Sequence, residues 1–347
     1  MNFARACLEW LKQNWFWLKW LVAAALLGGL FYQNREQIGR LSERTIDWRY
    51  FAVALVFNFT ATVLTIVRWF LLVWAQEFPF RLKDALRLGF IGYFFTYFSP
   101  GAAGGDIVKA VLIARQQTSR RSIAAATVLL DRILGMVGLL IVGAIASLFL
   151  SDTLRAHRAI HTITLIMWGG GIGGVICVSV LLHPAVPRLR WLGRLVRLRY
   201  VGRLIGEIIN AILLYQRRRR VVAAAIGISI VGHVATLSSF YNCVLALQLG
   251  RAAPDYWTNL LLIPGAEVAG VLLPTPGGVG GLEAAVQYLY SIANEARGSP
   301  VPDKVAQGAG LFAAVMFRVI VIMIASIGAV YYFSSKRDIK QAIDESQ

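Results

Sequence analysis

The sequence contains Ser99-Pro100-Gly101-Ala102-Ala103-Gly104-Gly105 and repeats this phrase as Thr275-Pro276-Gly277-Gly278-Val279-Gly280-Gly281. Both copies read [Ser/Thr]-Pro-Gly-x-x-Gly-Gly, and each interrupts an apolar stretch. Proline stops the helix before it, and glycine reaches backbone angles that other residues cannot adopt. Irregular backbone at membrane depth is tolerated only where it is buried in protein or lines a cavity. Two such interruptions in corresponding positions of the chain halves therefore indicate the binding site of a transporter.

The composition is that of a membrane protein. Of the 347 residues, 57% are hydrophobic, which excludes an ordinary soluble domain. The net charge of +17 would suggest nucleic acid in a soluble protein, but most of the charge here flanks apolar segments. We therefore expect membrane lipids with anionic headgroups as partners, and no nucleic acid. The spacing of the cysteines and histidines predicts neither a metal site nor a disulfide framework, and we expect no cofactor.

Six apolar stretches are long enough to cross a bilayer: residues 15–32, 50–74, 123–150, 163–182, 221–249 and 306–333. The two regions with the glycine phrases, about 85–114 and 257–292, are divided into segments too short to span. We predict an all-α polytopic membrane protein of about six spanning helices plus two re-entrant helical hairpins in an inverted repeat. A single membrane domain, 1–347, comprises a first half (15–182), a cytoplasmic arginine-rich segment (183–220) and a second half (221–335).

Arginine and lysine residues set the predicted orientation. The segment from Arg188 to Arg220 carries many arginines against one glutamate, so we expect it in the cytoplasm beside anionic headgroups. Counting spans from there puts both termini in the cytoplasm of a bacterial plasma (inner) membrane. The first hairpin then enters from the cytoplasm and the second from outside, as an inverted repeat requires. Residues 198–213 are either an amphipathic helix on the inner leaflet or an ordinary charged connector.

The glycine phrases have two interpretations. The second arm of each hairpin begins after Gly-Gly, so its free backbone N–H groups and positive dipole end suit an anion such as phosphate. The alternative is close helix packing, because small residues let backbones approach without binding a ligand. Two copies at inverse-topology positions favour the binding site.

Charged residues in the apolar spans are the other candidates, because each needs a partner or a wet cavity. Arg132 and Arg318 are interpreted as a phosphate clamp. The alternative for Arg132 is an internal ion pair, with a partner other than the adjacent Asp131, which projects differently on a helix. Arg68 is close to the end of its span and could snorkel to the interface. Asp106 and Glu283 follow the glycine phrases as helix caps or as proton carriers. Glu267 is expected to balance an arginine. We predict no catalytic residue and no metal site, and the predicted substrate-binding residues are Ser99, Pro100, Gly101, Gly104, Gly105, Asp106, Lys109, Arg132, Thr275, Pro276, Gly277, Gly278, Gly280, Gly281, Glu283 and Arg318.

Several ordered motifs resemble the transmembrane region of the lysylphosphatidylglycerol synthase/flippase family. They are FFTYFSPG at 94–101, GGD at 104–106, VLLDR at 128–132 and LPTPGGVGGLE at 273–283. The resemblance covers about residues 15–335 and implies a lipid-translocating domain with two re-entrant hairpins. Full-length members add a soluble aminoacyltransferase domain, and we expect neither that domain nor lipid aminoacylation in a chain that stops at Gln347.

The resemblance implies a flippase or transporter of a phosphate-bearing lipid, with a phospholipid, a hopanoid or a polyprenyl-phosphate-linked sugar as cargo. Two other functions stay open at this point. One is a membrane-embedded enzyme acting on a lipid phosphate, with a carboxylate as acid or base. The other is a non-catalytic membrane scaffold that recruits a cytoplasmic enzyme. The sequence leaves open whether the partner is a second copy of the chain or a separate lipid-modifying enzyme.

Overall fold

The computed structural model describes residues 21, 24–25, 27–33, 45–98, 104–117, 120–183, 215–272 and 275–334. Within these ranges the chain is all-α, as predicted. Residues 27–33, from the first predicted span, are helical. Three predicted features lie outside the described residues: the Ser99–Pro100–Gly101 part of the first phrase, the amphipathic segment 198–213, and most of the arginine-rich segment 183–220.

From residue 45 onward the described residues form ten α-helices, joined in places by short 3₁₀ turns. In chain order the helices are α1 (Trp48–Trp74), α2 (Leu82–Phe98), α3 (Gly104–Gln116), α4 (Arg121–Ala146), α5 (Asp152–Ala156), α6 (Arg158–Leu181), α7 (Arg219–Ala246), α8 (Tyr256–Leu272), α9 (Gly281–Ala296) and α10 (Asp303–Ser334).

Five helical segments are long and apolar enough to cross a membrane. They are α1, α4 with its following 3₁₀ turn, α6, α7 and α10. These segments match five of the six predicted spans and confirm a polytopic membrane protein. The spans keep large apolar side chains on their outer surface, as expected where lipid rather than water surrounds them.

Two pairs of shorter helices lie between the spans, where the glycine phrases predicted them. The α2–α3 pair has arms of 17 and 13 residues, and the α8–α9 pair has arms of 17 and 16 residues. The turn of the second pair contains Gly277, Gly278 and Gly280, all with positive φ. Glycine adopts this conformation at little cost, which explains its use at this turn.

The two halves of the molecule pack against each other reciprocally. Helix α1 packs along α7, the first spanning helix after the arginine-rich segment. The first arm of each short pair contacts a long helix of the opposite half: α2 lies against α10, and α8 lies against α4. The second arms α3 and α9 contact α4 and α10, the helices that follow them. Each short pair is therefore held between its own half and the other.

The bases of the two short pairs lie at opposite ends of the bundle. At one end, Asp47 N donates to Ala246 O, and Arg297 after α9 donates to Ala253 before α8. At the other end, Arg120 after α3 donates to Gln76 O, just before α2.

The second end is closed by contacts from the residues before α7. Tyr215 donates to Leu72 O at 2.8 Å, and burial raises the pKa of this phenol, which keeps it a donor. Arg218 bonds Glu77 and lies over the ring of Trp74. These contacts join the start of α7 to the end of α1, so the two helices run antiparallel.

Candidate functional site

The turn of the second pair is held by one arginine. Arg318, on α10, donates from Nε to Glu283 Oε1 at 2.6 Å and from Nη1 to Gly277 O at 2.7 Å. Its Nη2 lies 3.4 Å from Gly278 O. The other Glu283 oxygen accepts from Gly280 N at 2.8 Å, so Glu283 caps α9 as one sequence interpretation held. The Glu283 side chain is only 1% exposed and the Arg318 side chain 11%, so both members of this ion pair are shielded from the surroundings.

The first half contains the counterpart of this pair. Asp106, in the first turn of α3, binds Arg132 on α4, just as Glu283 in the first turn of α9 binds Arg318 on α10. The first pair is more open, because the Arg132 side chain is 37% exposed and the Asp106 side chain 25%. Lys109 also reaches Asp106, with Nζ 3.6 Å from Oδ1.

Behind this pair lies a buried ion pair. Arg68 donates from Nε to Asp131 Oδ1 at 2.7 Å and from Nη1 to Ser229 Oγ at 2.9 Å, and both charged groups are buried. The alternative that Arg68 snorkels to the interface is therefore wrong, since helices from both halves enclose its guanidinium.

Lys109 joins the two ion pairs of the first half, because its Nζ also lies 4.0 Å from Asp131 Oδ2. We call Arg68, Lys109, Arg132, Asp106 and Asp131 the first-half charge cluster. It contains one more cation than carboxylates.

Glycine allows close approach at several points of the two tips. A Cβ at Gly105 would overlap Gly92 O and Thr96 Oγ1, so α2 and α3 touch backbone to backbone there. The close-packing interpretation therefore holds for this glycine. Gly104 is buried at the start of the same helix.

The second tip touches the first pair directly. A Cβ at Gly277 would lie 2.6 Å from Cδ1 of Tyr97, near the end of α2. Thr275 is buried just before this turn, and its hydroxyl has no hydrogen-bond partner among the described residues. The backbone of Pro276 forms the 3₁₀ turn with Gly277 and Gly278. Gly281 starts α9 and is buried.

Arg132 lies at the edge of a surface that is otherwise apolar. The large side chains exposed beside it on α4 and α3 are Leu129, Ile133, Met136, Ile107 and Val111. In a membrane protein such a surface faces acyl chains. Arg132 lies about 16 Å along α4 from its first residue, near the middle of a hydrocarbon core of about 30 Å. A charged group therefore borders lipid at mid-depth.

The comparisons with known proteins identify the family. Residues 16–329 match the model of a family described as the lysylphosphatidylglycerol synthase TM region. The chain belongs to this family. The match confirms the resemblance seen in the motifs, and membership in the lysylphosphatidylglycerol synthase TM-region family indicates a membrane function related to lipids. No curated protein and no solved structure matches the chain significantly.

In this TM-region protein, sequence reasoning found the charged residues but missed most of their pairings. It did not join Asp106 to Arg132 or Glu283 to Arg318, and it assigned no role to Ser229 or Tyr97. Glu267 was expected to balance an arginine, yet within the described ranges no cation lies within ion-pair distance of it. Each half has a carboxylate just after its glycine phrase and an arginine in the following span. This shared pattern was the signal available in the sequence for the two ion pairs.

Proposed function

We propose that the protein is a lipid flippase, which moves a phosphate-bearing lipid between the leaflets of the membrane. The observation that carries this proposal is the excess cation of the first-half charge cluster. A charge within the hydrocarbon region is costly unless another charge or water compensates it. A lipid phosphate would supply the negative charge that the cluster lacks, through charge-assisted hydrogen bonds to arginine.

The proposed headgroup site is centred on Arg132. Asp106 is its hydrogen-bond partner in the described part of the chain, and a third of the arginine side chain is exposed. A phosphate at Arg132 also lies near Lys109, which shares Asp106. The apolar surface of α3 and α4 beside Arg132 would keep the acyl chains in lipid while the headgroup crosses. The glycines of both phrases, together with Ser99, Pro100 and Thr275, complete the proposed lining.

We further propose that α2–α3 and α8–α9 are re-entrant hairpins related by an inverted repeat. Their arms of 13 to 17 residues measure about 20 to 26 Å, less than the hydrocarbon core of about 30 Å. Their bases lie at opposite ends of the bundle, and the tip of the second touches Tyr97 of the first. Rocking of one half against the other would expose the shared centre to each side in turn.

The charge of the two ends supports an orientation in which the base of α2–α3 is cytoplasmic. The exposed cations at that end are Arg81, Lys83, Arg115, Arg121, Arg217, Arg219 and Arg220. At the other end Asp152, Asp255, Glu295 and Asp303 offset the exposed cations. We place the protein in a bacterial inner membrane with both termini in the cytoplasm. Anionic headgroups would bind the cytoplasmic end.

The test is reconstitution of the full chain into vesicles of phosphatidylethanolamine and phosphatidylglycerol that contain a headgroup-labelled phosphatidylethanolamine. We expect a membrane-impermeant quencher to reach inner-leaflet label that stays protected in protein-free vesicles, and we expect the recovered lipid to be chemically intact. A modified lipid would instead indicate a membrane-embedded enzyme. Intact lipid that does not move, for this and for a panel of other phosphate-bearing lipids, would favour a scaffold and overturn the proposal.

A further inference from the structure

Glu267 is an embedded carboxylate that the proposed lipid pathway does not use. It lies in α8, about 16 Å from the first residue of that helix and so at mid-depth. It is half-buried, and no lysine, arginine or histidine of the described ranges lies within 4.0 Å of its oxygens. A carboxylate in such a place is costly unless it carries a proton or gains a positive partner.

Glu267 lies near the place where the two halves of the molecule contact each other. Tyr93 and Tyr97 of α2 pack edge to face with ring centroids 5.3 Å apart, and both hydroxyls lie near Glu267. Tyr97 also touches Gly277 at the second tip.

The second tip also folds back onto the helix that carries Glu267. Gly270, one turn further along α8, packs against Gly278 of the same tip. Glu267 therefore lies beside a place where the tip of the second pair meets the described part of the first pair.

The other titratable groups on the elements packed around α8 have partners of their own or lie apart. Glu283 on α9 binds Arg318 on α10, and Asp131 on α4 binds Arg68. Arg132 on α4 binds Asp106. His233 on α7 is half-buried and lies near Arg68 and Gly135. None of these groups neutralises Glu267, so a proton is the simplest positive ligand for it.

We propose that Glu267 binds and releases one proton during each transport cycle and so couples lipid movement to pH. The step forms one O–H bond from a proton of water on one side and returns that proton to water on the other. When Glu267 is neutral, Arg318 stays with Glu283 and Gly277, and the second tip rests on Tyr97. When Glu267 is charged, the cost of an unpaired charge beside the second tip disfavours this packed arrangement and loosens the tip. This inference rests on the proposed flippase function.

The first test compares wild type with Glu267→Gln, which mimics the protonated form, in the vesicle assay with equal pH on both sides. Between about pH 5 and about pH 8 we expect the wild-type rate to change by up to about tenfold per pH unit on one limb of the profile. The Glu267→Gln rate should be flat. The matched control is Glu295→Gln, since Glu295 is 78% exposed at the outer end, and it should keep the wild-type profile.

The second test does not depend on transport. Infrared difference spectra between acid and alkaline vesicles should show a protonated-carboxyl carbonyl band that titrates in wild type and in Glu295→Gln and is missing in Glu267→Gln. Glu267→Asp should restore it, which separates loss of the proton site from misfolding. A Glu267→Gln protein that keeps both the pH profile and the band overturns the proposal. If no lipid moves in any protein but the band behaves as expected, the flippase function fails while the proton site stands.

Discussion

Arg318 and Glu283 lie 35 residues apart in sequence and join α10 to α9, with Arg318 Nε 2.6 Å from Glu283 Oε1. Removing one partner of a buried ion pair leaves the other charge uncompensated, at a typical cost of about 3–5 kcal/mol. We therefore expect Arg318→Met to lower the thermal midpoint in detergent substantially. Combining it with Glu283→Gln should recover part of the loss. Arg251→Met, at an exposed arginine, is the control. Equal thermal midpoints for Arg318→Met and Arg251→Met would contradict a structural role for the ion pair.

Arg132→Gln should separate transport from stability. Asp106 keeps Lys109 as a partner when the arginine is lost, so the thermal midpoint should stay close to that of wild type. A hydrogen bond to a charged group contributes about 1.5–3 kcal/mol, so translocation in vesicles should slow by at least about tenfold. Arg121→Gln changes an exposed arginine at the start of the same helix and should transport normally. Normal transport by Arg132→Gln would remove Arg132 from the headgroup site.

Asp131→Asn should destabilise the protein more than a change at the edge of the same network. It leaves the buried Arg68 guanidinium without its carboxylate, which costs about 3–5 kcal/mol. Ser229→Ala removes one hydrogen bond to the same guanidinium and should cost about 1 kcal/mol. Thermal unfolding in detergent measures both. Should the serine variant prove the less stable, the ion pair is not the centre of this network.

Gly105→Ala should disturb the packing of the first helix pair. The added methyl group would overlap Gly92 O and Thr96 Oγ1, and overpacking of this kind costs about 1–3 kcal/mol. Gly173→Ala, in α6, is the matched control, because nothing lies within 4 Å of a Cβ there. The thermal midpoint should fall for the first variant and stay level or rise for the second. An unchanged thermal midpoint for Gly105→Ala would show that α2 and α3 can move apart without a loss of stability.

The proposed inverted repeat predicts which side of the membrane each pair enters. Lys83 is exposed at the start of α2, and Lys304 is exposed at the start of α10, next to the base of α8–α9. In a background with Cys7, Cys177 and Cys243 replaced by alanine, a membrane-impermeant maleimide added to intact cells should label Lys304→Cys and spare Lys83→Cys. Labelling of both from outside would rule out opposite entry.

The sequence predicts elements of this fold better than contacts between them. Apolar length and the proline and glycine breaks are local properties, so five spans and both short pairs were predicted close to their observed bounds. The partner of Arg68 lies 63 residues away on another helix, and no local pattern specifies it. The projection of neighbouring residues on a helix favoured a partner other than Asp131 for Arg132, and the partner is Asp106. Which residue it is depends on how α3 packs against α4, so the sequence could not name it.

The glycine phrases show the same limit. Their role as breaks follows from the residue types, but the overlap of Gly105 with α2 and of Gly277 with Tyr97 depends on which helices meet. Its place after the phrase made Glu283 either a helix cap or a proton carrier, and the structure shows that it caps α9. That the same carboxylate also holds Arg318 could not be predicted, because the two residues come together only when α10 packs along α9.

Helix α6 contributes little buried surface, yet in the proposed topology it decides from which side of the membrane the second short pair enters. Together with α4 and α7 it makes an odd number of crossings between the two short pairs in the described chain. With an even number, the second pair would enter from the same side of the membrane as the first. Arg132 and Arg318 would then both be reached from that one side. The peripheral helix thus sets the number of membrane crossings between the two pairs. A homologue without it would keep the same site residues but lose access to them from both sides of the membrane.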